Sequence, residues 1–351
     1  MSAITVLITC YNGRAHLPDC LGSLFASQDA GMELNVVVVD NASTDDGPRF
    51  INENFPQVEV LRLPENRGFA GGNNAGWRYI RSRPTRTDYL AILNQDTIVQ
   101  SGWLAALVGH LENRPAVAAG QAKILLWPGR DRINTAGNQS HYLGFGIVSG
   151  YGEEDNREFT ESRQIDFASG AAMVVRTDAL EQTGLFDDLF FLYLEDADLG
   201  WRLRQRGYRI DFVPGSVVWH KYAFQENYKY YYYLERNRWY LLGTYYKMPT
   251  LLLIAPAMMA MELGQVYFAW RNGVLGEKLR AWRYFFSAKN LSRLLARRRE
   301  AQGRRLIGDR AFTESFVGRI EFSEIKSGLL DRVGNPLLNF YWRMVRRMIW
   351  W

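Results

Sequence analysis

The sequence predicts an α/β fold, a parallel sheet covered by helices on both faces, followed by a helical, amphipathic C-terminal region. Three observations carry that expectation. Residues 1–100 alternate short apolar runs with helix-period segments. Each apolar run ends in polar, small or Gly residues. The charge is also divided: residues 1–270 hold 24 Lys and Arg against 30 Asp and Glu, net −6, whereas residues 271–351 hold 18 against 7, net +11.

In order, the pattern gives a strand over Ile4–Thr9, a helix over Ala15–Ser27, a strand over Leu34–Val39 and a helix over Asp45–Asn54. A strand over Val58–Leu63, a helix over Gly71–Arg81 and a strand over Tyr89–Leu93 follow. Uninterrupted apolar strands separated by helices belong to a sheet buried on both faces. In such open sheets the ligand crevice lies beyond the carboxyl ends of the strands. Those ends read Cys10-Tyr11-Asn12-Gly13, Asp40-Asn41-Ala42-Ser43, Pro64 to Gly68, and Asn94-Gln95-Asp96. Turn chemistry alone would not require four such ends in a row.

Residues 117–176 read as further strands and irregular loops, with a small-residue turn at Phe167–Ala171 entering a strand. Leu199 and Leu203 set a helix beginning near Glu195, with Gly207 as its cap. A turn at Pro214-Gly215-Ser216 and a short strand to His220 come next, then an aromatic helix over Tyr228–Tyr246. Residues 249–270 are apolar apart from Glu262 and Gln265 and contain Pro256. Their length would suffice to span a membrane. The polar residues, and an amphipathic continuation through Trp282, Phe285, Leu291 and Leu295, favour a helix lying in the interface. A soluble helical subdomain or a dimer face is the remaining reading. The division expected is residues 1–240 as one domain and 241–351 as the second.

Cys10 and Cys20 are the two cysteines, with no metal-type partners nearby, and read as free thiols in a reducing compartment. The N-terminus has no basic region before its apolar run, so the expected location is cytoplasmic. The basic, Trp-bearing tail suits an anionic membrane surface. Nucleic acid is not expected, since no binding module accompanies the charge.

Several residues could carry chemistry. Asp96, at a strand end, could hold Mg2+ or Mn2+ against phosphates. Asp40 could accept hydrogen bonds from a ligand, or simply close an Asx-turn. The stretch Asn66-Arg67-Gly68-Phe69-Ala70-Gly71-Gly72-Asn73-Asn74 lets backbone approach a ligand and opens a helix, whose N-terminus favours anions. It matches neither G-x-G-x-x-G nor a Walker loop, against a dehydrogenase or an ATPase. Glu195, Asp196 and Asp198 complement a helix dipole, yet an adjacent acid pair after an apolar run also suits a general base. His220, at a strand end, could complete a metal site begun by Asp96.

The motifs VLITCYNG, VVVVDNASTDDG, ENRGFAGGNNAG, LNQDT, FASGAAMVVR, YLEDADLGWRLRQRGYRI and VVWH, in this order, resemble family 2 glycosyltransferases of the GT-A fold, with its Rossmann-like nucleotide-binding sheet. The resemblance covers about residues 3–240 and is nearest to rhamnosyltransferase-like and galactofuranosyltransferase-like members of bacterial surface-polysaccharide synthesis. It implies an inverting, metal-dependent transfer from a nucleotide-sugar donor, dTDP-L-rhamnose favoured over UDP-galactofuranose and other UDP or GDP sugars. The implied acceptor is a saccharide, lipid-linked through a polyprenyl diphosphate, and the enzyme would sit peripherally on the inner membrane face.

Residue by residue, the resemblance implies donor binding by Tyr11, Asn12, Asp40, Asn66, Arg67, Gly71, Gly72, Asn73, Asn94, Gln95 and Arg236. It implies a metal held by Asp96 and His220, a catalytic base at Asp196, and an acceptor held by Gly170, Glu195 and Trp219. Asn94 stands where the family's motif has its first Asp, which leaves the metal contact to Asp96. A homo-oligomer is compatible with all of this. A nucleotidyltransferase would need a glycine-rich, basic loop where Tyr11-Asn12-Gly13 stands, and a non-catalytic scaffold would not need Asp96, Asp196 and His220.

Overall fold

The computed structural model describes residues 2–27, 32–222, 230–321, 328 and 330–351. Two compact units arise, one from Met1–Asn138, Val148–Leu203 and Tyr208–Ala223, the other from Gln139–Ile147, Arg204–Gly207 and Phe224–Trp351. This differs from a division at residue 240. The helix Tyr231–Tyr245 and two short upstream segments pack with the C-terminal helices.

The first unit opens with β1 (Ala3–Cys10), α1 (Leu17–Ala26), β2 (Glu33–Asp40), α2 (Gly47–Asn54) and β3 (Glu59–Arg62). α3 (Gly68–Arg81), β4 (Tyr89–Leu93), β5 (Thr97–Val99), α4 (Trp103–Glu112), β6 (Val117–Leu126) and β7 (Ile133–Thr135) continue it. A separate two-stranded sheet is formed by β8 (Asn138–Ser140) and β9 (Gly146–Val148). The remaining elements are β10 (Arg163–Gln164), β11 (Ala172–Arg176), α5 (Thr177–Thr183), α6 (Glu195–Gln205) and β12 (Arg209–His220). The main sheet has the order β10-β12-β6-β11-β4-β1-β2-β3, with β5 on β12 and β7 on β6.

Parallel pairing joins β4, β1, β2 and β3, as the apolar runs imply. β11 lies antiparallel between β4 and β6. Ile4, Val6, Ile8, Val36 and Val38 lie in the core with Leu17, Leu21 and Leu24 of α1 and Leu104 and Leu107 of α4. Both cysteines are free and buried, and burial pushes each thiol up to about 12.

Two local expectations change. α3 begins at Gly68, three residues before the expected start, because Gly68 takes φ +69° and the glycines that follow are helical. Pro214-Gly215-Ser216 is a bulge inside the single strand β12, with the register on β6 shifting between Val213 and Val217.

The second unit is helical: α7 (Tyr231–Tyr245), α8 (Met248–Arg271), α9 (Leu275–Phe285), α10 (Ala288–Arg304), α11 (Asp309–Phe312) and α12 (Asn335–Met348). The expected helix start at Tyr228 lies outside the described residues. A buried network joins α7, α8 and α9: Arg238 pairs with Glu235 at 3.2 Å and with Glu262, and Lys278 pairs with Glu262 at 2.7 Å and with Glu235. Gln265 accepts from Arg238 at 2.8 Å and from Lys278 at 2.9 Å, and donates to Glu235 at 2.7 Å. Two acids and two bases balance there, which is what makes buried charge tolerable.

Candidate active site

The carboxyl edge of the sheet holds the backbone strain of the first unit. Among the described residues, the non-glycine residues with positive φ are Asn12 (49°) after β1, Ala42 (63°) after β2, and Phe191 (58°), Tyr193 (67°) and Leu194 (63°) just before α6. Such conformations cost free energy and cluster at functional sites.

Asn41 locks the approach to α3. Its amide donates to Asn66 Oδ1 at 3.1 Å and to the Gly68 carbonyl at 3.0 Å, and its Oδ1 accepts from the Arg67 N–H at 2.9 Å. A Cβ at Gly68 would lie 2.3 Å from the Phe191 carbonyl oxygen, so the loop before α6 sits directly on the start of α3. Asp40 is buried, accepts from the Ser43 N–H at 3.0 Å and lies 3.4 Å from Arg62.

The antiparallel ladder of β12 on β5 pairs His220 with Thr97, and the Lys221 N–H donates to the Asp96 carbonyl at 2.9 Å. That register sets His220 Nε2 3.2 Å from Asp96 Oδ1 and 3.4 Å from Asn94 Nδ2. His220 Nδ1 faces Asn134 Oδ1 at 3.0 Å. An amide oxygen only accepts, so Nδ1 carries a proton and Nε2 is the nitrogen that faces the Asp96 carboxylate. Burial alone would raise the Asp96 carboxyl, but its hydrogen bond to His220 and the imidazole charge outweigh that and hold it below the usual range.

At 3.2 Å the Nε2–carboxylate contact is filled either by a proton on Nε2 or by a cation held between the two groups. The residues fit a cation, since ligand atoms around one octahedral ion at about 2.1 Å stand about 3 Å apart. An imidazole beside a carboxylate suits Mn2+ at least as well as Mg2+. Among the described residues no group of three or more His, Cys, Asp and Glu side chains is arranged to hold a metal ion. The remaining ligands would come from phosphate and water.

The Asn94 N–H donates to the Ala171 carbonyl at 2.9 Å, which brings Gly170 beside this strand end. The Gly170 N–H reaches Asp196 Oδ2 at 3.4 Å, and Asp196 Oδ1 accepts from the Ala197 N–H at 2.7 Å. A Cβ on Gly170 would stand 2.9 Å from the Phe69 ring, so glycine lets this backbone approach the carboxylate. Burial raises the Asp196 carboxyl to about 6 against the pull of those N–H groups. Glu195 is 6% exposed, its Oε2 has no hydrogen-bond partner, and burial with the neighbouring Asp196 charge pushes its carboxyl well up. Glu195 thus holds its proton more tightly than a free carboxyl, and its buried Oε2 stands without a hydrogen-bond partner.

Asp96, His220, Asn94, Gly170, Glu195 and Asp196 thus meet at one edge, with Tyr11, Asn12, Asp40, Asn66 and Arg67 on neighbouring strand ends. The other expected residues are engaged by contacts of the fold itself. Gln95 spends its amide on the Tyr11 backbone, accepting at 3.0 Å and donating at 3.3 Å. Gly71, Gly72 and Asn73 are buried within α3, and a Cβ at Gly72 would meet Thr9 at 2.5 Å, so Gly72 lets α3 pack closely on the sheet. Trp219 points away from His220 by strand alternation and donates to the Arg130 carbonyl at 3.3 Å. Arg236 is buried in α7 of the second unit against the rings of Tyr232, Tyr233 and Tyr284. Asp198 pairs with Arg202 at 2.8 Å, and Arg202 also donates to the Leu185 carbonyl, which gives this acid a structural role. Asn41 and Asn134 are contributors that motif reading passed over.

A family model described as Glycosyl transferase family 2 matches residues 5–184. The N-acetylglucosaminyl-diphospho-decaprenol L-rhamnosyltransferase of Mycobacterium tuberculosis is 25% identical over 237 residues, covering 63% of this chain and 76% of that protein. The crystal structure of GalNAc-T7 with UDP, GalNAc and Mn2+ aligns with TM-score 0.56 and 16% identity over 71% of this chain and 49% of that one, so the chain spans about half of it. The structure of S. aureus TarS 1–349 in complex with UDP aligns with TM-score 0.52 and 15% identity over 99% of this chain and 90% of that one. At these identities the likeness is one of fold, and the fold is the GT-A fold expected.

Proposed function

We propose that this chain, which belongs to glycosyl transferase family 2, is an inverting, cation-dependent transferase that moves L-rhamnose from dTDP-L-rhamnose to a hydroxyl of a polyprenyl-diphosphate-linked saccharide. Glycosyl transfer from a nucleotide sugar is the part that family membership supports directly. The donor and acceptor readings take their support from the mycobacterial relative, whose name specifies an L-rhamnosyl group and an N-acetylglucosaminyl-diphospho-decaprenol. The observation that carries the mechanism is the Glu195-Asp196 pair, with Asp196 raised to about 6 beside the Gly170 N–H and Glu195 raised by burial, its Oε2 without a partner.

In this reading the acceptor hydroxyl gives its proton to Asp196 as its oxygen bonds to the anomeric carbon. The bond from that carbon to the diphosphate oxygen breaks on the opposite face, and the nucleoside diphosphate leaves with inversion. Glu195, whose Oε2 is free of partners, hydrogen-bonds the acceptor and orients it. Asp40 and Asn12 with Ser43 form the nucleoside end of the edge, where the Asn12 N–H already donates to Ser43 Oγ at 3.0 Å. Asp96 and His220 would hold a divalent cation, which when bound supplies positive charge against the departing diphosphate.

The test is nucleoside diphosphate release from dTDP-L-rhamnose, UDP-galactofuranose, UDP-glucose, UDP-N-acetylglucosamine and GDP-mannose, with a prenyl-diphosphate saccharide acceptor and with or without Mn2+. Cation-dependent release from dTDP-L-rhamnose alone is expected. Release from a different sugar would reassign the donor.

A further inference from the structure

α8 has the length and apolar composition of a membrane span, yet only 11% of its most apolar window is buried, so it is not the core helix of a soluble bundle. Its exposed apolar side chains fall at Leu252, Met259, Leu263, Tyr267 and Trp270, one stripe at helical spacing, with Leu263 75% exposed and Trp270 67%. The opposite side is anchored. Ile254 and Ala257 are buried, and Glu262 and Gln265 reach the network of Arg238 and Lys278. Trp282 Nε1 adds a hydrogen bond to Glu262 at 3.1 Å.

A second stripe lies next to it. α12 buries Leu338, Trp342 and Val345 on one side and exposes Leu337, Phe340, Met344 and Met348 on another, with Arg343, Arg346 and Arg347 exposed on the third. The two helices touch where Tyr341 Oη donates to the Leu253 carbonyl at 2.6 Å. By helical angle, Leu253 and Tyr341 each sit at the border of their helix's stripe, so the stripes flank the contact. Exposed apolar surface on this scale marks an interaction site.

We propose that α8 and α12 form one docking face for an anionic lipid bilayer, on which α8 lies along the surface and does not cross it. Charge selects the occupant. The arginines beside the stripe belong to a segment of net +11, which attracts anionic headgroups and repels a second copy of itself. The buried network decides the orientation. A crossing helix would have to withdraw Glu262 and Gln265 and leave Arg238 and Lys278 buried with Glu235 as the one acid between two cations. Trp270 and Trp350 stand at helix ends on the exposed side, where indoles favour the headgroup level. The purpose of such a face rests on the reading of a lipid-linked acceptor, but its evidence does not.

Flotation of the full chain with vesicles of phosphatidylglycerol and phosphatidylcholine, free of any prenyl lipid, tests the face apart from catalysis. Binding is expected to anionic vesicles, at least 10-fold weaker to pure phosphatidylcholine, and lost at least 10-fold in Leu263→Glu and in Met344→Glu. Circular dichroism and nucleoside diphosphate release in solution should stay unchanged in both variants. Undiminished binding of the variants would overturn the proposal. So would a wild-type dimer in sedimentation that the same substitutions split, which would make a second copy the occupant. Retention of the protein in carbonate-washed vesicles would overturn the orientation and indicate a span. Failure of nucleotide-sugar turnover with intact vesicle binding would count against the transferase reading alone.

Discussion

His220 Nε2 and Asp96 Oδ1 stand 3.2 Å apart because β12 and β5 pair in a register that sets His220 opposite Thr97. Asn134 Oδ1, 3.0 Å from Nδ1, fixes which imidazole nitrogen faces the carboxylate. Partners of this kind behind a metal-ligating His typically affect affinity by about 10–100-fold. Asn134→Ala is therefore expected to weaken Mn2+ binding by about that factor, read by electron paramagnetic resonance with nucleoside diphosphate present, and Asn134→Asp to retain more of it. Asp96→Ala should abolish the bound signal. Unchanged binding in Asn134→Ala would remove Asn134 from the site.

The acid pair gives a pH dependence whose sign is fixed. Asp196, raised to about 6 by burial, must be ionised to accept a proton. kcat is thus expected to fall as pH drops through about 6, with an apparent value that belongs to the Glu195-Asp196 pair. A flat profile between pH 5 and 8 would contradict the role.

The same shift has a cost in stability. An acid whose folded pKa exceeds its unfolded value of 3.8 binds its proton more tightly when folded, so stability is lost as pH rises from about 4 through about 6. Asp196→Asn is expected to add on the order of 2 kcal/mol above that window and almost nothing below it. Urea unfolding at pH 4 and pH 7.5 makes the comparison.

Much of this edge was legible in the sequence. Asp40, Asp96 and His220 end strands whose apolar runs are unmistakable, and Glu195-Asp196 opens a helix. Asn134 was not legible, since its strand β7 is only three residues long and reaches His220 only because β7 and β12 both pair with β6. Gly72 has a packing role that the motif did not reveal, for a physical reason. Glycine permits close approach to a ligand or to a sheet, and here Gly72 and Gly76 meet Thr9, Leu7 and Val39. The C-terminal helices were visible as apolar, but not which side Glu262 faces, because its partners Arg238 and Lys278 lie on other helices.

Two glycines separate strain from propensity. Gly68→Ala combines φ +69° with a 2.3 Å clash against the Phe191 carbonyl and is expected to lose at least about 1–2 kcal/mol. Gly109→Ala, in α4 with open space around the added methyl, should gain about 0.5–1 kcal/mol. Thermal unfolding of the two variants would show opposite shifts.

Lys278→Met leaves Glu235 and Glu262 short of a cation in the buried network. A loss of about 3–5 kcal/mol is expected, and Lys278→Met combined with Glu235→Leu should recover part of it. No recovery in the double variant would mean that packing, not charge balance, holds α7, α8 and α9 together.

The central claim is that Asp196 takes the acceptor proton. Its most direct test measures donor binding by calorimetry and sugar transfer side by side in Asp196→Asn, with Mn2+ and a prenyl-diphosphate saccharide. Donor affinity close to wild type with transfer reduced on the order of 10²-fold or more is expected. Transfer near the wild-type rate in that variant would contradict the claim and move the base elsewhere.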